Sequence, residues 1–301
     1  MTARRTPARR TTAPLAVGAV LALTLAACGD DGADDGATDP GASPSTPTSS
    51  ATATTTPSDD EGGTGGGTGG AGTGAVPVYY VLEGDRAGLV REFHAGQGDD
   101  ALASAVTLLS SPPSDPDYTS YVDGWVTAAQ EADGEIVATV SGPVPGDDAE
   151  LAVQQVVYTL QAAAGRVLPV RFLGESGGDA VGLPGTNPVS TSPELETLAL
   201  VNITDPAEGT TVSGSMTATG RASSPENNVR WEVRSGSEVV LEGFTTHEGS
   251  STDERLDPWT VEVDLSTLAP GTYTFVAMTD DASGGEEGSG PATDTRTIVV
   301  G

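Results

Sequence analysis

NVRWEVRS, residues 228–235, and PWTVEVDL, residues 258–265, decide how the C-terminal part of this chain is read. In the first, Val229, Trp231 and Val233 alternate with Arg230, Glu232 and Arg234. In the second, Trp259, Val261, Val263 and Leu265 alternate with Thr260, Glu262 and Asp264. Side chains of a strand point to opposite faces with period two, so each segment reads as a strand with one apolar and one polar face. Working outward, LALVNI (198–203), GSMTATGRA (214–222), SEVVLEGF (237–244), GTYTFVAMT (271–279) and TRTIVVG (295–301) show the same β-rich composition, with turns between them. Seven short strands across 198–301 predict an all-β, immunoglobulin-like sandwich with Trp231 and Trp259 in its core.

Upstream, residues 175–197 turn to Gly, Pro and Ser and read as a linker. Before it, residues 76–174 mix periods. VPVYYVLE (76–83) and Leu89–His94 read as strands. Asp99–Ser111 reads as a helix with Leu102, Ala105, Val106 and Leu109 on one face and Pro112-Pro113 as its stop. A turn-rich stretch carries Tyr118 and Tyr121. WVTAAQEA, the turn Asp133-Gly134 and EIVATVSG then form a hairpin, because Asp-Gly supplies the positive φ of a two-residue turn. Ile136, Ala138 and Val140 share one face of it. A second helix starts at an Asp147 cap with Glu150 completing a capping-box-like pair; it buries Ala149, Ala152, Val153, Val156 and Leu160 and ends at Gly165. VLPVRFL (167–173) closes the region with Leu168, Val170 and Phe172 facing one way. The order β-β-α-β-β-α-β predicts an α+β domain, a mainly antiparallel sheet with two helices.

Residues 29–74 contain no Leu, Ile, Val, Phe, Trp or Tyr. Such a segment cannot bury enough apolar surface to offset chain entropy, and 28–75 is expected to be a disordered tether. Its coil spans roughly 35–40 Å, from about 5–6 Å × √n. Ahead of it stand Arg4, Arg5, Arg9 and Arg10, then an apolar run from Ala13 to Ala27 that is shorter than the roughly 20 residues of a spanning helix. Residues 1–27 therefore read as a signal peptide. Leu25-Ala26-Ala27-Cys28 resembles the lipobox of bacterial lipoproteins, and Cys28 is the one cysteine of 301 residues. The resemblance implies lipidation at Cys28, with diacylglycerol and a further acyl chain such as palmitate holding the protein on the outer face of the cell membrane. An ordinary signal peptide with an incidental cysteine, or an N-terminal membrane anchor, are the alternatives. Each buried methylene contributes about 0.8 kcal/mol, so several acyl chains anchor a protein without a transmembrane helix.

Removing residues 1–27 leaves nine arginines against 43 acids, a net charge of −34, and the chain has no lysine. Phosphate neutralisation needs clustered Lys and Arg, so a nucleic-acid partner is not expected. With Cys28 acylated no disulfide forms, and the cores alone must supply stability.

Residues 76–173 resemble the GerMN domain of bacterial sporulation and germination proteins. The residues that carry this are Ser111-Pro112-Pro113, the hairpin AQEADGEIVATV, Gln155-Val156-Val157-Tyr158-Thr159-Leu160, and Val170-Arg171-Phe172. The sequence departs from the family in TSYVDGW, where an I-P-x-G-T stretch is common. Residues 198–301 resemble the immunoglobulin-like domain associated with bacterial spore germination proteins. The match runs through Val201-Asn202-Ile203-Thr204-Asp205-Pro206-Ala207-Glu208-Gly209-Thr210-Thr211-Val212-Ser213-Gly214 to Gly220-Arg221-Ala222, with Glu242-Gly243-Phe244 and Gly271-Thr272-Tyr273 beyond. The two resemblances imply an extracytoplasmic binding or assembly module and no known reaction.

Chemistry has few candidates. His94 and His247 are the only histidines, too far apart in sequence and too few for a zinc site, and structural or surface roles are expected for both. A Ser-His-Asp triad would have to use one of them, and no G-x-S-x-G occurs. Carboxylate pairs for glycoside hydrolysis carry no signal among 43 acids. Asp280, Asp281, Glu286 and Glu287 form an acidic loop suited to a weak cation or a partner, though a plain solvated loop is the default. Trp125, Tyr118 and Tyr121 are candidates for a groove; Arg166 and Arg171 are expected in salt bridges or against an acidic partner. No catalytic, cofactor or metal residues are assigned. The expectation is a non-catalytic, lipid-anchored module that binds an envelope protein or the cell wall. A small-ligand carrier or sensor is the alternative, and a wall hydrolase a weaker one.

Overall fold

β1 (Ala75–Leu82) buries both of its faces: Val76, Val78 and Tyr80 on one, Tyr79 and Val81 on the other. A strand buried on both sides belongs in the middle of a sheet. In the computed structural model, which describes residues 74–84, 86–249, 254–280 and 290–301, it is the centre of a three-stranded sheet. β2 (Gly88–Ala95) pairs antiparallel on one side and the two-residue β3 (Tyr118–Thr119) on the other. The predicted signal peptide, Cys28 and the tether to residue 73 lie outside the described residues, as do Asp281, Glu286 and Glu287.

Between β2 and β3 lies α1 (Ala101–Leu109), capped by Asp100, whose carboxylate accepts from the N–H groups of Leu102 and Ala103 at 3.0 Å. It buries Leu102, Ala105, Leu108 and Leu109; the expected Val106 is only half-buried. β4 (Val126–Ala132) and β5 (Glu135–Val140) form the expected hairpin, with Asp133 at φ 53° and Gly134 at φ 81°. α2 (Ala149–Ala164) follows, then β6 (Val170–Gly174), which pairs parallel with β5. A parallel pair needs a long crossover, and α2 provides it. The first half thus carries two three-stranded sheets, one antiparallel and one mixed, where one mainly antiparallel sheet was expected.

α2 is buried from Leu151 to Gln161 on every side, not along the single predicted stripe. Its cap is Asp148, which accepts from the Leu151 N–H at 3.0 Å, one residue later than expected. Glu150 then sits one position too early to complete a capping box. Gly165 ends the helix at φ 65°, as the glycine signal indicated.

Residues 175–197, expected as a linker, are bonded onto the first half. Val189 exchanges both backbone hydrogen bonds with Val170 at 2.8 Å. Asn187 imitates a neighbouring strand: its Oδ1 accepts from the Phe172 N–H at 2.9 Å and its Nδ2 donates to the Phe172 carbonyl at 2.8 Å. Gln154 and Tyr158 of α2 donate to the carbonyls of Ser190 and Ser192. α3 (Glu194–Thr197) ends the stretch.

The second half is a sandwich of two sheets. β7 (Val201–Asp205), β9 (Ser215–Ala222) and β12 (Asp257–Asp264) form one, in the order β12-β9-β7. β8 (Thr210–Val212), β10 (Asn228–Ser235), β11 (Glu238–Thr246), β13 (Gly271–Thr279) and β14 (Thr293–Val300) form the other, in the order β11-β10-β13-β14-β8. β8, unforeseen and short, pairs parallel with β14. Trp259, Ile203, Val233, Phe275 and Ile298 centre the core. Trp259 is buried as expected, whereas Trp231 is half-buried and packs against the core beside Phe275. Gly220 is required by a close approach: a Cβ there would stand 1.9 Å from the Asn202 carbonyl and 2.6 Å from the Trp259 ring. The described structure is mostly β-sheet, with three helices and an immunoglobulin-like sandwich at its C-terminal end.

The halves share a core of their own, in which Tyr79, Val81, Leu89, Leu151 and Tyr158 pack with Leu198 and Leu256. Arg86 donates to the carbonyls of Leu195 and Leu198 across the same seam.

Candidate functional site

β14 begins its inward face with two charges. Asp294 and Arg296 precede Ile298 and Val300 in one alternation, so both point into the sandwich, and both are buried. A buried charge must be paired and hydrogen-bonded, and part of the pairing comes from the first half. Arg296 Nη1 donates to Asp115 Oδ2 at 2.5 Å and to Asp294 Oδ1 at 3.3 Å, and Nη2 donates to the Ile203 carbonyl at 2.8 Å. The Tyr118 hydroxyl donates to the Asp294 carboxylate, 2.8 Å from one oxygen and 3.0 Å from the other. The Ile203 N–H donates to the same carboxylate at 2.6 Å, and the guanidinium lies 5.0 Å from the centre of the Tyr118 ring.

One guanidinium therefore serves two carboxylates. Burial pushes Asp115 up to about 6, against the lowering effects of the Asp117 N–H and Arg296. Burial likewise raises Asp294, opposed by Arg296 and its backbone donors. Next to them, Glu92 accepts from the Ser114 and Asp115 N–H groups at 2.9 and 2.8 Å and stands 2.9 Å from His94 Nε2. Burial would raise Glu92, but these three partners hold it below the usual carboxylate range. An acid near 6 in a cleft suits proton transfer. Here, however, the carboxylates are already held by fixed donors, and the arrangement staples the Ser114–Tyr118 loop to β14.

The second histidine is also committed. His247 is buried; its Nε2 accepts from the Ser224 N–H at 3.4 Å, which leaves Nδ1 to donate to the Glu248 carbonyl at 3.1 Å. Ser224 and Asp257 are near it, yet the Ser224 hydroxyl accepts from the Asp280 N–H at 2.8 Å and Asp257 Oδ2 is 4.0 Å from Nδ1. The three do not form a nucleophilic relay.

Trp125 and Tyr118, offered above as groove residues, are both buried. The Trp125 indole stacks on Phe172 with centroids 5.6 Å apart and donates to the Gly142 carbonyl at 3.0 Å; large amphipathic rings fill the core once their polar atom finds a partner. Tyr121 is half-buried and donates to Glu83. Arg166 pairs with Glu131, and Arg171 reaches Glu135 with two bonds of 2.6 and 3.0 Å. Asp280 accepts from Asn228 at 3.0 Å.

Two surface features remain. An open groove of about 550 Å³ runs between β7, β8 and β9, lined by Asp205, Thr210, Thr211, Met216 and Thr219 among others. The outer edge of β11 pairs with no strand among the described residues. A bulge at Val233/Arg234 puts Val239, Glu242 and Phe244 on the outward face with Arg234, Glu232 and Arg230. Val239 is 41% exposed and Phe244 70% exposed.

Sequence reasoning missed the Asp115–Arg296–Asp294 cluster. Its signal was present: in TDTRTIVV the acid and the arginine fall on the same parity as Ile298 and Val300.

The sandwich places the second half among immunoglobulin-like domains. More narrowly, residues 200–286 match the family model Gmad2, the immunoglobulin-like domain of bacterial spore germination. No curated protein matches the chain. Among solved structures, the chain is similar to a Jonesia denitrificans lytic polysaccharide monooxygenase at 16% identity and a TM-score of 0.22, covering 32% of this chain and 60% of that one. It is similar also to the CBM51-2 and INT domains of Clostridium perfringens ZmpB, at 13% identity and a TM-score of 0.22, covering 67% of this chain and 34% of that one. Neither likeness reaches a shared fold.

Proposed function

We propose that the protein is a non-catalytic module held outside the cell membrane by lipid on Cys28, where it binds another component of the envelope. In this reading residues 76–174 form a GerMN-like α+β domain, and the immunoglobulin-like sandwich follows it. The observation that carries the proposal is the open edge of β11, where an aromatic and a branched aliphatic side chain stand in water beside unpaired backbone. Sheet edges of this kind recruit extended partners, and proteins without a use for them blunt them. The carboxylates of Asp115, Asp294 and Glu92 and the ring of His247 support the same reading, since fixed donors and acceptors already occupy them. A carrier of small ligands would call for an enclosed pocket, and the groove beside β8 is open.

The test is cross-linking in intact cells of the native host, comparing the full chain with its Cys28→Ala variant by mass spectrometry. A dominant envelope partner that is lost with the anchor is the expected result. Recovery of the Cys28→Ala variant in the membrane fraction at native yield would defeat the lipid anchor.

A further inference from the structure

We infer that the seam between the halves binds one chloride ion, held by Arg91 of β2 and Asn202 of β7. Two cross-strand pairs meet there. Tyr79 and Arg91 face each other across β1 and β2, and Asn202 and Arg221 face each other across β7 and β9. Between them, bordered by Leu89, Leu198 and Leu256, lies a cavity of about 10 Å³, room for a single atom the size of a water. Two of the groups that line it are donors without an acceptor. Arg91 Nε and Asn202 Nδ2 are both shielded from solvent, and neither has a hydrogen-bond partner among the described residues. Asn202 is only 5% exposed. Buried donors left unpaired are destabilising, so this pair calls for a ligand that accepts from both.

Charge selects an anion over water. Arg221 is neutralised by Glu194 at 2.9 Å. No carboxylate lies within ion-pair distance of Arg91 among the described residues. The Phe93 ring, 4.7 Å from the Arg91 guanidinium, stabilises the cation without neutralising it. Burial holds the Tyr79 hydroxyl above its ordinary range, so it stays protonated and brings no counter-charge. The cavity thus combines two unmet donors and one unmet positive charge, with no buried side-chain acceptor left unpaired. A water would accept from both donors but bring two hydrogens of its own to be placed. Chloride accepts from both, donates nothing and supplies the missing charge; polyatomic anions are too large for the space. Because Arg91 belongs to the first half and Asn202 to the sandwich, the ion favours the docked arrangement of the two.

The test follows the thermal midpoint of the full-length protein while chloride replaces gluconate at constant ionic strength, which holds general screening fixed. The midpoint should rise by about 3–5 °C for each tenfold increase in chloride once the site is mostly occupied. Asn202→Asp sets a carboxylate beside Arg91 and should abolish that rise. Arg230→Gln, at an exposed position on the outward face of β10, should keep it. Crystals of the native chain grown in sodium bromide give a second reading that does not depend on any variant's folding. An anomalous bromine peak between Arg91 Nε and Asn202 Nδ2 is the expected result. Equal midpoints in chloride and gluconate overturn the site, as does a rise that survives in Asn202→Asp. Ordinary water density at that place, with no anomalous signal, overturns it too.

Discussion

Arg296 is the side chain whose removal should cost most. Arg296→Met leaves Asp115 and Asp294 buried without their shared cation, a loss of about 3–5 kcal/mol that denaturant unfolding at pH 7 would measure. The cluster also sets a pH dependence with an unusual sign. Asp115 in the fold sits at about 6, above its unfolded value near 3.9, so its contribution is complete below about pH 4 and disappears as pH rises through 6. Asp294 is raised too and acts in the same direction. Glu92 is lowered, so its contribution is present at neutral pH and is lost only as pH falls below the ordinary carboxylate range. Unfolding free energy should therefore decline between pH 4 and 7 by up to about 3 kcal/mol, and Asp115→Asn should flatten that slope. A slope that Asp115→Asn leaves intact would assign the effect elsewhere. At this scale the sequence was least informative: Asp115 and Arg296 are 181 residues apart, and only the fold makes them neighbours.

Among the elements, strands and helices were legible wherever periodicity was strong and burial one-sided. The Asp133-Gly134 turn and the rows Ile136-Ala138-Val140 and Val229-Val233 follow directly from alternation. Three misreadings share a cause, which is that local pattern does not reveal what packs on top. α2 is enclosed on all faces, so Gln154, Gln155, Thr159 and Gln161 are interior despite their polarity. β3 and β8 are too short for any periodicity to show. Residues 175–197 look like a linker in composition, yet Asn187, Val189, Ser190 and Ser192 are all bonded to the first half. Two predictions belong here. Asp148→Ala should destabilise by about 1 kcal/mol as a lost cap, while Asp147→Ala stays within about 0.5 kcal/mol, a contrast that thermal melts resolve. Asn187→Ala strips the Phe172 N–H and carbonyl of their partner, costs about 1–3 kcal/mol, and should open 175–190 to limited proteolysis.

On the scale of the molecule, the seam between the halves combines an apolar cluster with buried ions, so calorimetry should show the described region unfolding in one transition. Arg296→Met should split that transition or move both parts down together, whereas two independent peaks in the native protein would contradict the seam. The same seam bears on how freely the sandwich can be borrowed. Its strands look like an interchangeable cassette, but the cap over one end of its interior belongs to the Asp115–Tyr118 loop of the neighbouring half. Cut out alone, residues 198–301 would present a guanidinium and a carboxylate at an uncorked mouth, water would enter there, and the burial that raises Asp294 would be relieved. Grafting this sandwich onto another protein therefore means transplanting its stopper as well.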